Sequence, residues 1–114
     1  MPRSPLDLLQ GTVSMLILKT LSWKPQHGYG ISQWIRGRTE GALGLEDAAL
    51  YQALHRLERR GWVSAEWGQS ENNRRAKYYR LTPAGRAQLK AEATTWREYA
   101  EAVFRVLDAR HMEG

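Results

Sequence analysis

The chain has 114 residues and no cysteine, and its lysines and arginines outnumber its aspartates and glutamates by five, for an isoelectric point of about 9.9. That length holds one modest core and leaves no room for a separate catalytic domain, and the missing thiols exclude disulfides, thiolate nucleophiles and cysteine-based zinc sites. The basic balance favours a polyanionic partner, with nucleic acid ahead of membrane: the longest apolar stretch, within residues 13–21, is broken by Ser14, Lys19 and Thr20, short of the roughly 20 apolar residues that span a bilayer.

The N-terminus carries Pro2, Arg3, Ser4, Pro5 and Asp7 and lacks a signal-peptide cleavage pattern, so the cytoplasm is the expected location. Ser4-Pro5 predicts a helix start, a capping hydroxyl followed by proline at the first helical position. Leu6, Leu9, Val13, Leu16, Ile17 and Leu21 then recur at helical spacing, with Leu8, Met15 and Leu18 widening the stripe, so the first helix is mostly buried. Pro25 and the cluster Gly28-Tyr29-Gly30 break the pattern, and Ile31, Trp34 and Ile35 predict a short second helix ending near residues 37–41. Residues 41–44 read as a turn, and Leu43 and Leu45 as a brief strand. Glu46 and Asp47 suit the positive end of a third helix over residues 48–60, which Gly61 stops.

Beyond Gly61 the period becomes alternating: Val63, Ala65 and Trp67 share one side of a strand, and a return strand covers residues 76–81. One of Tyr78 and Tyr79 must therefore pack inward and the other outward. Between the strands lies a polar tip, residues 68–75, carrying Arg74 and Arg75. Thr82-Pro83 repeats the helix-start signal and opens the longest helix, reaching about Asp108, with residues 111–114 as a frayed tail. The fold class that follows is mainly α with a β-hairpin, a winged helix-turn-helix domain over residues 1–81 and a C-terminal dimerisation helix over 82–110 packed on the first helix.

At about 100° per residue, Leu50, Ala53, Leu54 and Leu57 form the core face of the third helix. Ala48, Gln52, His55 and Arg59 fall opposite, with Tyr51 and Arg56 on the flanks. This outer face has no acid, and it offers an amide suited to adenine, arginines suited to guanine or phosphate, and an imidazole. A polar outer face alone is ordinary for a helix in water, and the wing is what argues for DNA. Arg74, Arg75, Lys77 and Arg80 are opposed only by Glu66 and Glu71, so a basic hairpin follows a basic helix, as in proteins that place the helix in the major groove and the wing on the adjacent backbone. Trp23, Trp34, Trp62 and Trp67 read as core or hinge packing rather than as base-stacking groups.

Four segments in register, Gly11 to Leu21, His27-Gly28-Tyr29-Gly30, the run Leu50-Tyr51-Gln52-Ala53-Leu54-His55-Arg56-Leu57-Glu58 with Gly61, and Lys77-Tyr78-Tyr79-Arg80-Leu81-Thr82-Pro83-Ala84-Gly85, resemble the PadR family of bacterial transcriptional regulators. The resemblance covers nearly the whole chain. It implies a homodimer, usually a repressor, that binds inverted-repeat double-stranded DNA near its own gene or a neighbouring operon and is released by a small molecule or stress signal. The chain length matches the subgroup with a single C-terminal helix. Ala48, Ala49 and Gln52 stand where the family commonly has Gly or Ser, then Ser or Thr, and a Pro after the Tyr, which makes Gln52 a specificity residue particular to this chain.

In the last helix Leu89, Ala93, Trp96, Ala100, Val103 and Leu107 advance by steps of four and three, a continuous apolar seam that one chain of this size has little left to cover. A partner's last and first helices are the expected cover; the alternative is a monomer folded back on its own first helix. In some relatives an aromatic on this helix lines a central pore and stacks on flat hydrophobic ligands, so Trp96 is either such a ligand-binding residue or simple packing. No cofactor is implied. His27, His55 and His111 lack metal-ligand spacing, and no nucleophile with its base, paired carboxylates or phosphate loop is visible, so an enzyme is not expected. The competing readings are a winged-helix module that binds protein instead of DNA, and a general RNA-binding protein.

Overall fold

The computed structural model describes residues 12–112. Seven elements follow one another: α1 (Thr12–Thr20), β1 (Gln26–His27), α2 (Gly28–Arg38), α3 (Asp47–Arg59), β2 (Val63–Gln69), β3 (Arg75–Leu81) and α4 (Pro83–Leu107). The order helix, helix, helix, hairpin, long helix is the one expected, and the fold is mainly helical with a small antiparallel sheet. The helix start at Ser4-Pro5 lies outside the described residues.

Three local differences have physical causes. A third strand, β1, joins the hairpin through Gln26↔Tyr79 and His27↔Tyr78, giving the order β1-β3-β2; two residues are too few to show a period in sequence. The glycines after it do not break a helix but begin one, because His27 caps α2 by accepting the Gly30 N–H on Nδ1 at 3.0 Å. Leu43 and Leu45 form no strand. Their loop is held by Thr39, whose hydroxyl oxygen accepts the Leu43 N–H at 3.0 Å, and Leu45 is buried in the core.

The core gathers Ile17 and Leu18 of α1, Ile31 and Ile35 of α2, Leu50, Leu54 and Leu57 of α3, and Val63, Tyr79 and Leu81 of the sheet. Both predicted periodicities are satisfied there: the apolar stripe of α3 is buried, and Tyr79 is the inward member of the tyrosine pair. The tryptophans depart from expectation. Only Trp62 packs partly against the core; Trp23, Trp34 and Trp67 are exposed. Trp23 and Trp34 pack against each other at 5.0 Å with their rings tilted by 48° and the Lys19 ammonium over Trp23, so surface contacts occupy these rings.

The end of α3 and the start of α4 form one joint. Gly61 adopts φ +78, and the bonds from Gly61 N–H to Glu58 O and from Trp62 N–H to Leu57 O close the helix in the left-handed manner glycine permits. Thr82 then caps α4 by accepting the Gly85 N–H at 3.0 Å, while its hydroxyl donates to Gly61 O at 2.7 Å and its N–H to Trp62 O at 3.1 Å. The first half of α4 packs on α1 and β3, and the second half projects beyond them.

Candidate nucleic-acid interface

Helix α3 turns its apolar side inward and so presents Gln52, His55 and Arg59 to solvent. No acid shares that outer face. The flanks have different surroundings. Tyr51 lies against the first turn of α2 so closely that a Cβ added at Gly28 would overlap its hydroxyl and its ring, which fixes α3 against α2. Arg56, on the other flank, lines a separate cleft of about 500 Å3 with Ser14, Arg60, Trp62, Gln88 and Glu92, away from the wing.

Strands β2 and β3 pair from Val63↔Leu81 to Gln69↔Arg75. At the tip, Ser70 N–H donates to Arg74 O at 2.8 Å and Asn73 N–H to Ser70 O at 2.9 Å, with Asn73 in the left-handed region at φ 64 that this short turn needs. The hairpin therefore projects as a defined wing. Its inner face is core as far as Ala65 and Tyr79 and then runs out past the core, carrying Trp67, Lys77 and Arg75 over the space beside α3. That space is a cleft of about 630 Å3 whose lining includes Tyr29, Tyr51, Trp67, Arg74, Arg75 and Lys77.

Of the predicted contacts, the structure thus brings Tyr51, Arg74, Arg75 and Lys77 around one cleft, beside the outward row Gln52, His55 and Arg59, and leaves Arg56 apart. Lys77 is partly engaged within the chain, with its ammonium 3.6 Å from the Glu58 carboxylate of α3. The pair ties the wing to α3 and leaves Arg74 and Arg75 as the other cations of the cleft. Glu66 faces Arg80 at 3.9 Å on the outer side of the sheet, whereas Glu71 lines the cleft together with Arg74, Arg75 and Lys77, which leaves the cleft net positive. Tyr29 and Trp67 were missed by sequence reasoning. The alternation Val63, Ala65, Trp67 marks a shared face, and only the strand's length relative to the core reveals that the third residue lies beyond it. Burial pushes the Tyr79 phenol above its ordinary value, and the charges of Glu58 and Tyr51 add to the effect.

In the last helix Trp96 and Ala100 are half-buried, Val103 is at the margin, and Tyr99, Phe104, Val106 and Leu107 are between 58% and 76% exposed. Leu89 packs on its own chain's core, and among the described residues the seam is half-covered at Trp96 and Ala100 and exposed beyond them. Trp96 stacks on Tyr99 at 5.7 Å. Among the described residues no helix is long and apolar enough to cross a membrane, and no group of acidic, His or Cys side chains could hold a metal ion.

A family model of PadR-like transcriptional regulators matches residues 17–91. An uncharacterised protein of Lysinibacillus sphaericus is 33% identical over 97 residues, covering 85% of this chain and 89% of its own. A transcriptional regulator from Clostridium thermocellum superposes with a TM-score of 0.78 at 30% identity, over 87% of this chain and 96% of that one. A PadR family transcription regulator from Clostridium difficile does so with a TM-score of 0.74 at 30% identity, over 85% and 99%. The winged helix, the basic wing near the acid-free outer face of α3 and these matches agree: the chain belongs to the PadR-like family of transcriptional regulators, which are not enzymes.

Proposed function

We propose that this protein regulates transcription as a homodimer, each copy laying α3 in the major groove of double-stranded DNA and its wing on the neighbouring backbone. The observation that carries the reading is the exposed row Gln52, His55 and Arg59 on α3, the helix whose Tyr51 and Glu58 meet the basic wing. A second copy supplies the cover that the seam from Trp96 to Leu107 lacks among the described residues; contiguous apolar surface of this kind marks an interface. Two-fold pairing of α4 sets two recognition helices side by side, so the operator is an inverted repeat with half-sites about one helical turn, roughly 34 Å, apart or a multiple of it.

In keeping with the family resemblance, the protein acts as a repressor near its own or a neighbouring operon, in the cytoplasm, and a planar hydrophobic effector that reaches Trp96 at the dimer centre releases it. The residues assigned to DNA are Tyr51, Gln52, His55, Arg59, Arg74 and Arg75, with Lys77 and Arg56 in lesser roles. The test is a gel shift with duplex DNA from upstream of the protein's own gene at two salt concentrations, with the stoichiometry measured. Two chains per duplex and binding that weakens with salt support the reading. Salt-independent binding to a protein partner and none to DNA would favour the interaction-module alternative.

A further inference from the structure

We propose that the cleft between α2 and the wing seats the phosphodiester backbone of one DNA strand, with Tyr29 as a hydroxyl donor on the helix wall and Trp67 as the residue that positions Arg75 on the wing wall. The inference rests on the DNA-binding reading above and deepens it, since neither Tyr29 nor Trp67 belongs to the contacts already assigned.

The helix wall carries a hydroxyl prepared to donate. Tyr29 is 66% exposed, and its oxygen accepts a hydrogen bond from the Gln33 side-chain amide at 2.6 Å. With the oxygen serving as acceptor, the phenolic proton is left for another acceptor, and a phosphate oxygen is acceptor only. The wing wall carries a cation held in a chosen orientation. The Arg75 guanidinium lies 4.4 Å from the centre of the Trp67 ring, and Trp67 is itself 56% exposed, so the indole here serves as a platform and not as core. A guanidinium stacked on an aromatic face keeps its N–H edge free in its own plane, the arrangement that meets phosphate oxygens in a bidentate manner. Lys77 is partly engaged by Glu58 at 3.6 Å, so the neighbouring lysine replaces this function only in part.

The experiment measures binding of the full chain to a random-sequence duplex over a range of salt, comparing wild type with Tyr29→Phe, Trp67→Leu, Trp67→Phe, Arg75→Ala and the Trp67→Leu/Arg75→Ala double variant. Tyr29→Phe should weaken binding about two- to tenfold. Arg75→Ala should lower the log–log salt slope by about 0.9. Trp67→Leu should weaken binding about two- to fivefold, the worth of an exposed cation–π contact, and the double variant should bind no worse than Arg75→Ala alone, because the indole acts through the arginine. Trp67→Phe, which keeps an aromatic face, should restore most of the loss. Melting curves monitor the fold, and Trp67→Thr, a strand-favouring residue, replaces Trp67→Leu in the cycle if the latter unfolds. Additive losses in the double variant, or Tyr29→Phe binding like wild type, overturn the proposal while leaving DNA binding intact. Failure of the wild type itself to bind the duplex overturns both readings.

Discussion

Replacing Gly85 with Ala should destabilise the protein although the substitution adds the best helix-forming residue to a helix. Gly85 is buried in the first turn of α4, and a Cβ there would run into the Trp62 carbonyl oxygen and lie 2.8 Å from the Leu81 Cδ1 and 2.9 Å from the Trp62 carbonyl carbon. Two of those three atoms are backbone and cannot rotate away. Restoring ordinary contact distances requires α4 to withdraw by roughly 1 Å. The same Trp62 carbonyl accepts the Thr82 N–H, and Thr82 also bonds Gly61 and caps Gly85, so withdrawal strains the whole joint. Overpacking costs about 1–3 kcal/mol and the three weakened, unbroken hydrogen bonds together about 2 kcal/mol, against a propensity gain of about 1 kcal/mol, for a net loss of about 2–4 kcal/mol. Gly37→Ala is the matched control: Gly37 is exposed in α2 with nothing within 4 Å of an added Cβ, so it should gain about 0.5–1 kcal/mol. Urea denaturation of the three proteins at one protomer concentration makes the comparison. If Gly85→Ala equals or exceeds the wild type in stability, the close docking of α4 on the end of α3 is wrong.

Val103→Asp should split the dimer, since a carboxylate in a dry seam costs roughly 3 kcal/mol or more, about a hundredfold in dissociation constant; sedimentation at micromolar concentration checks it, and a wild type with one chain's mass would refute the dimer itself. A variant retaining only Trp96 should show quenched emission with planar apolar compounds that also weaken operator binding, whereas unchanged emission across a panel would leave Trp96 a packing residue. The raised Tyr79 phenol gives a pH dependence. The folded state holds this proton more tightly than the unfolded chain does, so the contribution is fully present below pH 10.0 and is lost as pH rises from there through the folded value. Tyr79→Phe should flatten that alkaline loss, measured as denaturation midpoints from pH 9 upward, and an unchanged slope would refute the assignment.

Sequence reading recovered what periodic burial specifies. Leu50, Ala53, Leu54 and Leu57 determine which side of α3 faces water, so Gln52, His55 and Arg59 were identifiable before any coordinates. The paired signal Thr82-Pro83, and Gly61 after the last turn of α3, placed two helix ends because local sterics alone decide them. What escaped depends on pairings between distant segments. The strand β1 exists only because Tyr78 and Tyr79 of β3 offer it an edge. Trp67 followed the core alternation into a wing longer than the core, and Lys77 has its partner, Glu58, on another element. Leu43 and Leu45 alternate like a strand, but the loop bonded to Thr39 delivers Leu45 to the core without one.

The central claim, that α3 reads sequence while the wing positions the protein, is tested most directly by paired binding isotherms on operator and scrambled DNA at several salt concentrations. Arg74→Ala with Arg75→Ala should weaken both DNAs by similar factors and lower the salt slope by about one per lost phosphate contact. Gln52→Ala or Arg59→Ala should cost about 1–3 kcal/mol on the operator alone and narrow the gap to scrambled DNA. Helix variants that lose equally on both DNAs, with wing variants that lose specificity, would contradict the account.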